Sequence, residues 1–203
     1  MRITALKLTL SLLLSCSFLN AQEEPKKQYY GLLAITGKLG FTIYKDSPVI
    51  PVSSGGQLFA IGLGVDVGHP EYGYLSVAPM YRWHGFGGVF SKELLLRGFY
   101  VPVLAKFVFV NTDSKQVLIG LGSSYFKDTA GFYNNGLGNQ GKFDLPNGDL
   151  KSGWGLIGQI EFKQTLSHNA FYSMAVGVDN TKRTYNIDAV DVFARLSMYR
   201  GLF

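Results

Sequence analysis

The sequence has a single cysteine among 203 residues, so no disulfide can form within one chain. Charged residues make up 16% of the chain, well below the roughly 25% that is usual for soluble domains. After Tyr29 there is no run of about 18 apolar residues, which excludes a transmembrane helix in that part of the chain. The net charge of +5 is spread along the sequence without a Lys/Arg cluster, which argues against a nucleic-acid partner.

Glycine and aromatic residues, in contrast, are abundant. The chain contains 25 glycines, and 14% of its residues are Phe, Tyr or Trp. The mean hydropathy of +0.12 is too low for a bundle of membrane helices. This composition suits strands that pack closely and that face something other than water.

The N-terminus has the pattern of a targeting segment. Arg2 and Lys7 precede the apolar run Leu8–Leu14, and Ala21 offers a cleavage site after a small residue. We therefore predict a signal peptide over residues 1–21 and a short periplasmic segment over residues 22–28.

An alternative processing route starts from the only cysteine. Leu13-Leu14-Ser15-Cys16 loosely matches a lipobox, which would place a lipidated Cys16 at a new N-terminus. Cleavage after Ala21 would instead remove Cys16 and leave a mature chain without cysteine.

From residue 29 onwards, eight segments alternate between large apolar residues and small or polar residues, the period of a strand with two different faces. The apolar face carries no charge through the middle of any segment. The opposite face carries charges of both signs, which we predict to form a charge network in an enclosed interior. These eight residues are Lys38, Asp66, Arg82, Lys106, Glu161, Lys163, Asp191 and Arg195.

The aromatic residues indicate which solvent the apolar face meets. If the first strand runs outward, one set of rings falls near the outer ends of the segments and another near the inner ends. The outer set is Phe41, Phe59, Tyr81, Trp83, Phe99, Tyr125 and Trp154, and the inner set is Phe107, Phe109, Phe162, Tyr172 and Phe203. Two aromatic girdles are typical of a membrane barrel and are not expected of a soluble sandwich.

The connections alternate in length in the same sense. Short linkers run from His69 to Gly73, from Asn111 to Gln116 and from Gln164 to Asn169, whereas the others are mostly longer. We therefore predict an all-β fold over residues 29–203: an eight-stranded antiparallel transmembrane β-barrel of up-and-down topology, with both termini in the periplasm. Eight strands enclose a space that side chains can fill, which excludes a wide pore. A plug of paired charges is the favoured interior, and a narrow ion path is the alternative.

The C-terminus adds a family resemblance. The chain ends in Phe203, with Tyr199 four residues earlier on the same phase, which resembles the C-terminal signal of outer-membrane barrels. Gly201 stands where such signals usually carry an aromatic residue, and a bulge near Arg200-Gly201 would turn Phe203 towards lipid. Over residues 28–203 the chain resembles small outer-membrane β-barrels of the OmpA/OmpX-like or porin family. The resemblance implies outer-membrane lipid, the barrel-assembly machinery (through Phe203) and periplasmic chaperones as partners.

Catalytic candidates are few. His84 lies at the outer end of the third segment, and Ser91 and Glu93 follow it, so these residue types could form a triad of a lipid A-modifying enzyme. No nucleophile motif surrounds them, and His84 points inward by phase. Asp128 and Asp179 would be the acids of a barrel protease only by default. We predict no catalytic residue.

Metal and cofactor sites are not predicted either. Asp144, Asn147 and Asp149 lie close together but do not reproduce the spacing of a calcium loop. The glycine-rich runs at 85–88 and 136–141 lack the Lys and Ser/Thr of a phosphate-binding loop.

The longest predicted loop runs from Asp128 to Ser152. It combines aromatic residues with Asn and Gly, the chemistry of a recognition surface for an external ligand. The candidate contact residues are Phe132, Tyr133, Asn134, Asn135 and Phe143. The sequence thus predicts a non-enzymatic outer-membrane protein with an envelope-structural or surface-recognition role. A lipid A-modifying enzyme and a narrow-conductance protein are the alternatives.

Overall fold

The computed structural model describes residues 31–45, 56–86, 93–134, 142–144, 150–167, 169–182 and 188–202. These residues form ten β-strands and the turns between them. The strands are β1 Gly31–Lys45, β2 Gly56–His69, β3 Gly73–Val77, β4 Met80–Phe86, β5 Glu93–Asn111, β6 Lys115–Asn134, β7 Lys142–Asp144, β8 Ser152–Ser167, β9 Ala170–Lys182 and β10 Asp188–Gly201. None of the described segments is a helix long and apolar enough to cross a membrane.

The strands close into one antiparallel ring. Neighbouring strands of the ring are antiparallel, and β10 pairs with β1 from Gly201 opposite Leu32 to Asp188 opposite Lys45. The ten strands occupy eight positions, because β3 and β4 share the place between β2 and β5, and β7 pairs only with β6. The predicted eight-stranded up-and-down barrel is therefore confirmed.

The strand between β2 and β5 is interrupted, although the sequence pattern indicated one continuous segment there. β3 ends at Val77 and β4 begins at Met80, with Ala78 and Pro79 between them. Proline has no amide hydrogen to donate to a ladder, so the pairing is interrupted there. The Pro79 carbonyl still accepts a hydrogen bond from Leu63 N at 3.2 Å, and the alternation of faces continues across the break.

The largest departure from the predicted boundaries lies in β6. The predicted loop from Asp128 to Ser152 is wrong in part, because β6 continues to Asn134 and Lys142–Asp144 pair with it as β7. An extra residue on β6 shifts its register with β5 between Arg97 and Gly98. Asp128, the predicted start of the loop, lies inside the barrel, so the inward phase of β6 continues with a charged residue.

The two faces of the wall have opposite polarity. Large apolar side chains that point outward are exposed, including Ile35 at 65%, Phe41 at 70% and Leu156 at 74%. The residues that alternate with them are buried in the interior, and the predicted assignment of faces holds for the described side chains of all eight predicted segments.

Both described termini lie at one end of the barrel, called here the terminal end. The turns at Pro70–Tyr72 and Thr112–Ser114, and the β8–β9 turn, lie at the same end, as the short linkers predicted. The opposite end, called here the loop end, is where β1, β4, β6 and β9 end and β2, β5, β8 and β10 begin. The predicted bulge at Arg200-Gly201 is not formed, because β10 pairs with β1 in regular register through Gly201. Phe203 lies outside the described residues.

Candidate functional site

The interior of the barrel holds a buried set of charged side chains, and the described members balance in sign. Five are cationic and five are anionic, and a histidine accompanies them. The cations are Lys38, Arg82, Lys106, Lys163 and Arg195; the anions are Asp66, Asp128, Glu161, Asp179 and Asp191; the histidine is His84. All eight residues predicted for the interior network are among them. Because charges in a narrow interior must be paired or hydrated, this balance is what a closed lumen requires.

Near the terminal end, four charges alternate in sign around the wall. Asp66 on β2, Lys106 on β5, Glu161 on β8 and Arg195 on β10 occupy every second position of the ring. Lys106 Nζ lies 2.8 Å from Asp66 Oδ2 and 2.9 Å from Glu161 Oε2. Arg195 Nη2 lies 3.0 Å from Glu161 Oε2. This four-residue cluster links strands on opposite sides of the barrel across the lumen.

Hydrogen bonds and aromatic rings complete the same layer. Tyr199 Oη donates to Glu161 Oε1 at 3.1 Å and accepts from Lys106 Nζ at 3.2 Å. Lys163 Nζ lies 3.6 Å from Asp66 Oδ2 and between the rings of Tyr74 and Tyr199, at 4.3 and 4.6 Å from their centroids. The rings offset part of the desolvation of the ammonium group because their faces attract cations.

A second group of contacts lies closer to the loop end. Tyr100 Oη donates to Asp179 Oδ2 at 2.5 Å, and Ser124 Oγ donates to Asp179 Oδ1 at 2.7 Å. Lys38 Nζ lies 3.4 Å from Asp179 Oδ2 and 4.0 Å from the ring centroid of Phe193. Asp179 is thus held by partners from three other strands.

Arg82 and Asp128 form a separate ion pair. Arg82 Nη2 donates to Asp128 Oδ1 at 2.5 Å, and both side chains are almost completely buried. The Arg82 guanidinium also lies 5.1 Å from the ring centroid of Phe126. Asp128 and Asp179, the acids considered for a protease, therefore face the interior and are engaged by cations instead of lining an outer rim.

His84 is fully buried at the loop end of the same network. Its Nε2 is hydrogen-bonded to Thr42 Oγ1 at 2.5 Å, and it lies 3.7 Å from Asp191 Oδ1. Thr42 Oγ1 in turn donates to Asp191 Oδ1 at 2.7 Å. In a catalytic triad the acid binds Nδ1 and the nucleophile binds Nε2. Thr42 and Asp191 both lie on the Nε2 side of the His84 ring, so these three residues do not have the arrangement of a triad.

Apolar layers separate the charged layers. One apolar cluster in the interior joins β5, β8 and β10, which are two ring positions apart. It consists of Leu104, Ile157 and Phe193. A second apolar cluster lies around Tyr100 and Phe126. The lumen is therefore crossed by side chains at several levels, with apolar contacts between the ion pairs.

The remaining predicted site residues lie on β5, β6, β7 and β10 or outside the described residues. Tyr199, part of the predicted assembly signal, points into the interior and is 5% exposed. Phe132, Tyr133 and Asn134 lie on β6, and Phe143 on β7 pairs with Tyr133. Asn135, Ser91, Asn147 and Asp149 lie outside the described residues. Glu93 begins β5, and Asp144 ends β7.

The sequence pattern alone did not identify all members of the network. Tyr100 lies on the inward phase of β5, but its hydrogen bonds to Lys38 and Asp179 depend on strands far apart in sequence. Asp128 and Asp179 are absent from the eight residues predicted for the network, and each lies near the end of its alternating segment. Their phase supplied the missing signal, since both continue the inward face of their strands.

Comparison of the sequence with known proteins finds no match. No protein-family model matches the chain. No curated protein matches it either.

Comparison with solved structures finds proteins of similar fold. Neisserial surface protein A (NspA) matches with a TM-score of 0.50 at 8% identity, over 84% of this chain and 97% of that one. OprG from Pseudomonas aeruginosa has a TM-score of 0.49 at 14% identity, over 88% and 99% of the two chains. Ail from Yersinia pestis has a TM-score of 0.49 at 11% identity, over 87% and 99%. The strand ring, the reversed polarity of its faces and the likeness to NspA together give this chain the fold of the small eight-stranded β-barrel proteins of bacterial outer membranes.

Proposed function

We propose that this protein is an integral outer-membrane barrel with a closed lumen, and that it has an envelope-structural or surface-recognition role without enzymatic activity. One observation carries the proposal: the wall exposes its large apolar side chains and buries its charges. A protein dissolved in water would leave a large apolar surface uncovered, whereas a bilayer solvates that surface.

The exposed apolar surface covers every position of the wall. Large apolar side chains that are at least about two-fifths exposed occur on β1, β2, β3, β5, β6, β8, β9 and β10. On β4 the outward residues are Tyr81 and Trp83, which contact each other with ring centroids 4.8 Å apart. A continuous belt with aromatic rings towards its edge supports insertion into a membrane.

The proposed orientation places the terminal end in the periplasm. The short turns at the terminal end and the longer connections at the loop end support this direction. It agrees with the predicted signal peptide over residues 1–21, because a cleaved leader leaves the mature N-terminus on the periplasmic side.

The interior supports a closed barrel in preference to a narrow ion path. Ion pairs from opposite strands cross the lumen, and the apolar contacts of Leu104, Ile157 and Phe193 lie beside them. An ion entering this space would displace paired and desolvated side chains, which costs free energy at each level.

Recognition at the outer surface is proposed for the hairpin formed by β6 and β7. Its candidate contact residues remain Phe132, Tyr133, Asn134, Asn135 and Phe143. Pairing of β6 with β7 supports a raised segment at the loop end, and the mixture of aromatic and amide residues suits an external ligand.

Membrane fractionation and gel migration test the location and the fold together. We expect the protein in the outer-membrane fraction, with faster migration of the unheated sample than of the heated one. Recovery in a soluble fraction, or identical migration of both samples, would contradict the proposal.

Planar-bilayer recording tests the closed lumen. We expect no conductance steps from purified, folded protein at high salt. Regular steps from the folded barrel would contradict the closed interior and favour the narrow-conductance alternative.

A further inference from the structure

The outer surface of the loop end carries a group of cationic side chains. The charged side chains described at its outer face and rim are Arg97, Lys127 and Lys151, and all three are cationic. At the terminal end, by contrast, the exposed charges are mixed and include Glu71, Asp113, Lys115 and Arg200. Among the side chains that the structure describes, an exclusively cationic group therefore occurs at the loop end and not at the terminal end.

Arg97 and Lys127 lie close together on this surface. Phe99, two residues after Arg97 on β5, is directly opposite Lys127 on β6. Cross-strand diagonal neighbours of this kind are roughly 7–8 Å apart. The register shift at Arg97/Gly98 inserts Thr129 into β6, and the Thr129 hydroxyl donates to the Arg97 carbonyl at 3.3 Å. This hydrogen bond ties together the two backbone segments that carry the cations.

A group of aromatic rings lies directly beside the two cations. Trp83 is opposite Arg97 across β4 and β5, and Tyr81 is opposite Phe99. Their rings are in contact, with centroids 4.8 Å apart for Tyr81 and Trp83 and 5.8 Å apart for Tyr81 and Phe99. Aromatic side chains of membrane proteins concentrate at the level of the lipid headgroups. The two cations therefore lie at the depth where lipid phosphates are found.

From this arrangement we propose that Arg97 and Lys127 bind the phosphate group of a glycolipid of the lipid A class, while the neighbouring aromatic rings contact its acyl chains. The inference rests on the proposed outer-membrane location. A guanidinium forms paired hydrogen bonds with phosphate oxygens, and the ammonium adds a second charge-assisted contact. Lys151 lies nearby, because its carbonyl accepts a hydrogen bond from Asp128 N at 2.9 Å, and it supplies further positive potential.

The test measures lipid retained by the folded barrel. The protein is inserted into phosphatidylcholine vesicles that contain diphosphorylated lipid A and is then extracted in mild detergent. Native mass spectrometry measures how much lipid A remains bound to the extracted protein. We expect the wild type to retain lipid A and the double variant Arg97→Gln/Lys127→Gln to bind it more weakly, by about fivefold for each charge removed. The charge-preserving variant Arg97→Lys/Lys127→Arg should keep most of the binding.

A matched control removes two cations from the other end. Lys115→Gln/Arg200→Gln lowers the net charge equally, and we expect lipid A retention to stay at the wild-type level. If both double variants lost lipid A retention equally, net charge would explain the effect and the proposed site would be overturned. Equal retention of dephosphorylated lipid A, or of phosphatidylglycerol in its place, would overturn recognition of the glycolipid phosphate.

Failure of the inference is distinguishable from failure of the proposed location. Gel migration before and after heating is recorded for every sample. A wild-type protein that does not insert into vesicles contradicts the membrane proposal itself. A folded, inserted wild type whose lipid A retention equals that of Arg97→Gln/Lys127→Gln contradicts only the phosphate site.

Discussion

Asp66 and Glu161 lie on opposite sides of the barrel, and a single ammonium group joins them. Lys106 Nζ is 2.8 Å from the Asp66 carboxylate and 2.9 Å from the Glu161 carboxylate. The three side chains come from β2, β5 and β8, which are separated by two positions at each step around the wall. This bridge spans the lumen near the terminal end and connects three strands of the ring.

Lys106→Met should destabilise the barrel strongly. The substitution keeps much of the side-chain volume but removes the cation that Asp66 and Glu161 share, so that Lys163 remains beside Asp66 and Arg195 beside Glu161. Breaking a buried ion pair in this way costs about 3–5 kcal/mol. The free energy of unfolding in lipid vesicles, followed through the fluorescence of Trp83 and Trp154, measures the effect.

Lys115→Met is the matched control for this change. Lys115 is exposed at the terminal end of β6, so its substitution should alter the unfolding free energy by no more than about 0.5 kcal/mol. If Lys106→Met were as stable as Lys115→Met, the bridge would contribute nothing to the closed interior.

Leu63→Arg should be costly because of its depth in the membrane. Leu63 lies near the middle of β2 and is 56% exposed on the outer face. An arginine at the bilayer midplane costs about 2–4 kcal/mol, whereas one near the interface costs about 0–1 kcal/mol. Val67, which faces outward near the terminal end of the same strand, provides the control Val67→Arg. Equal unfolding free energies for the two variants in vesicles would argue against a membrane around β2.

Gly62→Ala should destabilise the barrel, and Gly64→Ala on the same strand should be tolerated. A Cβ atom at Gly62 would lie 2.0 Å from the Pro79 carbonyl oxygen, so the backbone at the β3–β4 break would have to move. At Gly64 the nearest atoms are the Ala78 and Ala34 Cβ atoms at 3.5 and 3.6 Å, which is ordinary contact. We expect a loss of about 1–3 kcal/mol for Gly62→Ala alone. The yield of the heat-modifiable band and the unfolding midpoint compare the two variants.

His84→Ala should change stability and leave the membrane lipids unchanged. The variant removes the partner of Thr42 and a neighbour of Asp191, and a lost buried hydrogen bond costs about 1–3 kcal/mol. Mass spectrometry of lipid A from cells that carry wild-type or variant protein is the second measurement. If a lipid A species present with the wild type were missing with His84→Ala at equal protein level, the result would support the enzyme alternative.

The alternation of residues by itself determined which side of the wall each residue faces. A strand turns successive side chains to opposite faces, so Lys38, Thr42 and Arg195 can be assigned to the interior without any knowledge of their partners. The predicted regularity ends too early in two places. The bulge predicted at Arg200-Gly201 does not form. The inward phase of β6 also continues through Asp128, which resembles a loop residue because it is charged and lies at the end of a segment.

Only the tertiary structure decided which charges meet. Asp66 and Lys106 are 40 residues apart, and Lys38 and Asp179 are 141 residues apart. Their contacts depend on how the ring closes and on the register of every strand between them, neither of which the two-residue period contains. The period determines the inward direction, whereas closure of eight strands determines the partners, because only then do opposite walls come within the reach of one side chain.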